Sequence, residues 1–447
     1  MPALTDQRIH CTTTLSRWAR CAAAALVAAG LAPGLARAAA PVLNIGSTQQ
    51  AVSVAVPLPA GQDQEASAWS LVEQGADPIP AQVLPAMGPD GRPADKQGVL
   101  AATLRARADA PKTRRFELQP AEAGKKGAGF ELRDLNDKSL GLFENGKPVL
   151  VYNHGVITGE NVPDSDLRKH RACYVHPLYG LQGEVLTDDF PKDHYHHHGL
   201  FWAWPHVQIE GKEYDLWAYK NINHRHVAWL AKAAGPEAAL VAVENGWFVG
   251  DRKVVAERVW LCAHKAAEGR RAIDVTLVVI PLDNPITLWG APAKSYGGLN
   301  LRFGPRAKED TLITVPEGKT EKDLPETRLT WADFTAKWPE GGKTSGAAIF
   351  VHPQHPDYPP TWLTRHYGVL CVGWPGVEPR TFAAGKPIVL NYRVWIHDGP
   401  VEPETLREAY AGYQAAVAAS WSAGGEASGT PRGVRKHHRL LPRLHRQ

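Results

Sequence analysis

Long hydrophobic runs, cysteine and a consistent excess of one charge are all scarce in this chain, and each shortage removes a class of protein. The longest apolar run, Cys21–Leu35, is about fifteen residues, short of the roughly eighteen that a membrane helix needs, so no membrane insertion of the mature chain is expected. Of five cysteines among 447 residues, Cys11 and Cys21 fall in the first 38; Cys173, Cys262 and Cys371 are widely spaced with no CxxC. That spacing supports neither a zinc knuckle nor a disulfide-built scaffold. The net charge of +4 resides in the ends. Residues 1–38 hold four Arg against Asp6, residues 422–447 hold six Lys or Arg against Glu426, and the body between them is left at −4. A slightly acidic body is no surface for nucleic acid, which needs clustered cations. Phosphate loops, GxSxG elbows, Rossmann fingerprints and HExxH are missing too, so no cofactor is expected.

The organisation of the chain follows from patterning. Residues 1–38 read as a signal peptide: Arg17 and Arg20 precede the apolar run, and Ala36-Arg37-Ala38 is a small-x-small cleavage site. Export to the periplasm or beyond is the expected localisation. Apolar residues then mostly alternate, as in Val52–Val56 and Ala272–Ile280, between clusters drawn from 36 prolines and 41 glycines, which predicts a mostly β protein. Residues 41–122 read as a small β-sandwich module with Trp69 in its core, and 128–400 as a large antiparallel β-sandwich. One helix is predicted within 401–421, where Leu406, Tyr410, Tyr413 and Val417 share a face, packing at the sandwich edge. Residues 422–447 turn to Gly, Ser and then Arg, His and Pro, the composition of a disordered basic tail.

Histidine is where the sequence points to chemistry. Ten of nineteen lie within residues 154–226, a segment whose length would hold about three by chance. At its centre stand Tyr174-Val175-His176-Pro177, Leu186-Thr187-Asp188-Asp189-Phe190-Pro191 and Asp193-His194-Tyr195-His196-His197-His198. Read as a strand entry, the last run puts His194, His196 and His198 on one face and His197 on the other. Three uses of that face remain open: acid–base chemistry beside a carboxylate, ligation of copper or zinc, or a framework of hydrogen-bonded histidines. A second constellation mixes aromatic and cationic residues in the C-terminal third: Tyr296 to Phe303, His352-Pro353, Trp362 to Tyr367 and Asn391 to Gly399. Rings that stack on sugar C–H faces, beside guanidinium and imidazole groups that bind hydroxyls, suit a carbohydrate partner.

Those same segments, from His176 to Trp204 and on through Tyr296–Phe303, His352-Pro353 and Tyr392 to Gly399, resemble a family of secreted bacterial proteins catalogued as methane oxygenase PmoA-like, a domain of unknown function. The membrane subunit behind that name is built of transmembrane helices, and this chain has no such segment. The resemblance implies bacterial export and an association with sugar metabolism. By architecture, a large sandwich with His and Arg on a concave face is similar to the galactose-mutarotase-like supersandwich.

The reading is a periplasmic carbohydrate-active enzyme, a hydrolase, lyase or epimerase, with a metal-dependent oxidoreductase and a noncatalytic glycan-binding protein as rivals. His194 and His198 are assigned proton transfer, Asp189 orients an imidazole or acts as base, and His176 and Arg365 polarise an oxygen. Arg171, Tyr174, Trp202, Trp204, Tyr296, Arg302, His352, Trp362 and His397 are expected to bind the sugar. The leader is open to direct test: N-terminal sequencing of the exported protein should begin at or near Ala39, and an exported form that retains Trp18 would refute the assignment.

Overall fold

The run Val275–Ile280 is apolar at almost every position, the pattern of a strand covered on both faces, and its surroundings account for it. The computed structural model describes residues 40–62, 68–107, 109, 111–121, 129–339 and 342–423. The leader and residues 424–447 of the basic tail lie outside the described residues. Two nine-stranded antiparallel sheets face each other. The front sheet runs, in spatial order, Leu324–Arg328, Thr361–Arg365, Val369–Gly373, Gly298–Arg302, Leu200–Ala203, Tyr174–Leu178, Lys147–Asn153, Ser139–Glu144 and Phe130–Asn136. The back sheet is built on four long neighbours, Asn223–Ala234, Ala238–Val249, Arg252–His264 and Arg270–Pro281, continued by Ile388–Asp398, Thr344–Val351 and Trp331–Lys337 and finished by Thr311–Val315 and Gly318–Thr320.

Alternation decides which side chains enter the space between these sheets. On Arg252–His264, Val255, Val259 and Leu261 point into it and meet Leu200, Leu299, Leu301 and Val372 of the front sheet. Ala256 and Trp260 point outward; Trp260 packs with Leu84 and Ala101 of a third, seven-stranded sheet. That sheet holds the six strands between Val42 and Pro120 together with Ser420–Ser422, and Leu43, Val54, Trp69, Leu100 and Phe116 form its core. The central strands of the back sheet are thus covered on both sides, which accounts for their apolar runs.

The helix Pro403–Val417 starts on a proline at its first turn, where a missing N–H costs nothing. It packs over the face of the back sheet instead of the edge: Leu406, Tyr410 and Tyr413 meet Trp331, Ala348, Phe350 and Trp395 from three adjacent strands. Beyond it Ser420–Ser422 pairs with Val42–Asn44, so Ser422 belongs to a sheet and not to the tail. Cys173, Cys262 and Cys371 are free thiols.

One carboxylate interrupts the apolar interior. Glu257 is fully buried on the inward face of its strand. Its Oε1 accepts from Trp202 Nε1 at 2.7 Å and Asn245 Nδ2 at 2.9 Å, and its Oε2 from Trp247 Nε1 at 2.7 Å and His224 Nε2 at 3.1 Å. Burial alone would raise its pKa, but His224 and the indole and amide donors bring it below the ordinary glutamate value. Glu257→Ala would orphan four buried N–H groups, so it should cost about 3–5 kcal/mol. Glu257→Gln, which keeps one oxygen, should cost less. Denaturant midpoints of the two variants against the parent check this ordering.

Candidate active site

The histidine-rich run is not a strand. Pro191 opens two successive turns, in which the His194 N–H donates to the Pro191 carbonyl and the His197 N–H to that of His194, both at 2.9 Å. The turns break the two-residue periodicity on which the expected face rested. His194, His196 and His197 come to line one cavity of about 350 Å³, whereas His198 turns inward and is 2% exposed. Gly199 then enters the front sheet at φ +25°, where an added Cβ would lie 2.0 Å from the Val175 carbonyl oxygen. The crowding admits only glycine and fixes where His198 points.

His198 and Asp189 form a buried pair. Nδ1 lies 2.8 Å from Asp189 Oδ1, and the Tyr174 hydroxyl donates to Oδ2 at 2.7 Å. Burial pushes Asp189 up to about 6, partly offset by His176 and the Tyr174 hydroxyl. Burial likewise holds the His198 imidazole far below its ordinary value. His176 sits beside this pair, its Nδ1 3.0 Å from Thr187 Oγ1, and burial lowers it as well. Four residues expected to converge therefore separate into a buried trio, Asp189, His198 and His176, and a cavity residue, His194.

The cavity lies against the front-sheet face turned away from the main core, over Leu363, Val369 and Phe201. The His194 ring is stacked between Tyr367 (centroids 5.0 Å, 5°) and His197 (4.7 Å, 2°). Its Nδ1 is 3.0 Å from Asp193 Oδ2, a close approach without hydrogen-bond alignment. Arg302 holds that carboxylate through Nη2, at 2.9 Å to Oδ1 and 3.1 Å to Oδ2, and lays its guanidinium over Tyr367 at 5.1 Å. Burial and the neighbouring His194 take His196 down to about 3, and burial holds His197 well below its ordinary value. Both imidazoles are neutral at pH 7. Trp217 meets His197 edge-on at 5.9 Å and packs against Tyr296 at 4.7 Å, and Lys294, Arg365 and Asp323 complete the lining.

Of the residues assigned from sequence, His194, Arg365 and Tyr296 meet in this cavity. Arg171 and Arg302 stand behind it. Arg171 is 1% exposed and gives Nη1 to the carbonyls of Leu216 and Trp217 at 3.1 and 3.3 Å, which props the Trp217 segment. Tyr174 is buried and serves Asp189, with no face left for a sugar. Trp202, Trp204 and Trp362 point into the core and spend their indole N–H groups on Glu257, the Trp374 carbonyl and the Leu329 carbonyl. His397 is buried in the back sheet with Nε2 3.1 Å from Asp333 Oδ1. His352 borders a different cavity of about 230 Å³, beside Asn391 and Arg393. None of these last five can touch a ligand held by His194.

The sequence reading missed Trp217, Lys294, Asp323 and Tyr367, and it turned His197 the wrong way. Tyr367 stood in the Trp362–Tyr367 block and could have been chosen; Lys294 and Asp323 sit in loops without any motif. Among the described residues fourteen buried side-chain nitrogens or oxygens lack a partner within the protein, and seven belong to Arg171, His194, His197, Trp217 and Arg302. Unmade hydrogen bonds are costly, and their concentration here marks the region as shaped for something other than stability. Among the described residues no group of three or more His, Cys, Asp or Glu is arranged to hold a metal ion.

A family described as "Family of unknown function (DUF6807)" matches residues 141–411, which include the cavity, the back sheet and the front sheet apart from its edge strand Phe130–Asn136 and the first residues of Ser139–Glu144. No curated protein matches the chain. Among solved structures, the crystal structure of a GalM/aldose epimerase homologue from C. elegans aligns at 9% identity with a TM-score of 0.25, covering 62% of this chain and 100% of that one.

The shifted groups set the response to acid. Unfolded imidazoles take up protons near 6.5, while His176, His196, His197 and His198 in the fold resist until lower pH. The unfolded state then binds more protons, and stability should fall as pH drops from about 7 toward 4. Asp189 opposes this, because between about 6 and 3.9 the folded state is the one that binds its proton. Urea titrations across this range should give a flatter profile for His196→Asn and a steeper one for Asp189→Asn.

Proposed function

This chain belongs to that family of unknown function, and we propose that it is a carbohydrate-active enzyme that moves protons on a sugar bound in the His194 cavity. The observation that carries the reading is the Arg302–Asp193–His194 series on the wall of a cleft lined by Trp217, Tyr296 and Tyr367. The ring is held by its stacking between Tyr367 and His197 with the Asp193 carboxylate 3.0 Å from Nδ1, so a carboxylate stands beside an imidazole at the cavity, the pairing a general acid or base needs. Arg302 keeps the carboxylate in place. The neutral His196 and His197 can hydrogen-bond hydroxyls without competing for the proton, and the aromatic walls suit the C–H faces of a pyranose. A cavity of about 350 Å³ lies within the roughly 300–1,000 Å³ of small-molecule sites.

The lining favours ring opening, epimerisation or elimination over hydrolysis. Glycoside hydrolysis normally uses two free carboxylates flanking the bond, and the cavity offers one, Asp323. Its oxygens are taken by Arg365 Nη1 at 3.1 Å and by the main-chain N–H and Nδ1 of His366, both at 2.9 Å. With the leader read in residues 1–38, the proposal places the enzyme in the periplasm.

Proton NMR of a panel of reducing sugars and oligosaccharides in D₂O, following anomer exchange, deuterium uptake and unsaturated products, tests the reading. His194→Ala and Asp193→Asn should each lower turnover by at least about 10²-fold with little change in melting temperature. Trp217→Ala should act mainly on KM. Full turnover by His194→Ala would remove the proposed acid–base residue.

A further inference from the structure

The lining of the cavity holds two fixed cations, Lys294 and Arg365, against one carboxylate, Asp323. Among the described residues, Lys294 makes no hydrogen bond or ion pair. Arg365, the other cation of the lining, shares Asp323 with His366, and that carboxylate is fully engaged. Of the carboxylates set back from the wall, Asp193 is paired with Arg302, and Asp215 accepts the Ala218 N–H at 2.9 Å outside the lining itself. Behind the same wall Nε and Nη2 of Arg171 are buried without hydrogen-bond partners, and its guanidinium adds positive potential at the cavity. A neutral sugar seated here would take water from Lys294 and return no charge.

We propose that the sugar taken by this cleft carries an anionic substituent, a uronate carboxylate or a sulfate ester, held between Lys294 and Arg365. The inference rests on the reading of the cleft as a sugar site and names the class of sugar. Charge-assisted hydrogen bonds from an ammonium and a guanidinium are stronger than those between neutral groups. The walls around them are aromatic or neutral imidazole, so an anion meets no repulsion from the lining except from the already paired Asp323.

Calorimetric titration of the full chain with galacturonate and glucuronate, as mono- and oligosaccharides, beside their methyl esters and the 6-sulfates of the neutral sugars, tests it. The acids should bind at least about tenfold tighter than their esters. That ratio should shrink in Lys294→Gln and in Arg365→Gln, and should shrink for the parent as salt is raised. Carboxylate against sulfate affinity then identifies which anion is native. Esters that bind as well as acids would overturn the anionic inference and leave the sugar site standing, as would a ratio unchanged in both variants. Failure of every sugar to bind would overturn the sugar reading and this inference with it.

Discussion

The buried carboxylate of Glu257 is the constraint from which the rest of the site's geometry can be traced. An ionised group between two sheets is tolerable only when its oxygens are saturated, and the four donors come from both: Trp202 from the front sheet, and His224, Asn245 and Trp247 from the back. Each donor is thereby held in one orientation. His224 passes the constraint on, because its Nδ1 lies 3.1 Å from the Tyr219 hydroxyl, which also reaches the Ala172 carbonyl. Arg171, next in sequence, stacks its guanidinium on Tyr219 and grips the Trp217 carbonyl. A polar chain therefore runs from the centre of the sandwich to the aromatic wall of the cavity.

The other wall is organised by the two turns after Pro191. They divide one histidine-rich stretch into two layers with opposite duties. His198, drawn inward by Asp189, is kept neutral and anchors the stretch; His194, drawn toward Asp193, keeps an edge in the cavity. Arg302 holds Asp193 in the second layer, and Arg171 and Arg302 behind the cavity retain unpaired nitrogens. Stability has been given up locally for a polar surface of defined shape, carried on the front sheet.

The architecture was legible because strands announce themselves locally. Alternation at Ala272–Ile280 and the helical face at Leu406, Tyr410 and Tyr413 each depend on neighbours within a few residues, and both elements stand where they were read. The density of histidine located one side of the site for the same reason. The rest of the lining was illegible: Trp217, Lys294, Asp323 and Tyr367 arrive from four loops that only the strand order of the front sheet brings together. Aromatic residues misled in the other direction. Trp202 and Trp362 looked like ligand platforms, but alternation could not say which face of their strands is inward, and both face the core. The turns at Pro191 carried a local signal in the proline itself, one that an assumed strand had overridden.

The pairing of Ser420–Ser422 with Val42–Asn44 adds the edge strand of the seven-stranded sheet across some 380 positions of chain. That sheet also covers the outer face of the back sheet, so the cover acquires its final edge strand only after residues 420–422 have been made. Contacts of such long range make for slow assembly. Until that strand arrives, Val42–Gly46 offers an open edge to any other extended chain. The C-terminal strand thus acts as a latch whose loss would be felt first as self-association, in a sheet that contributes nothing to the lining of the His194 cavity.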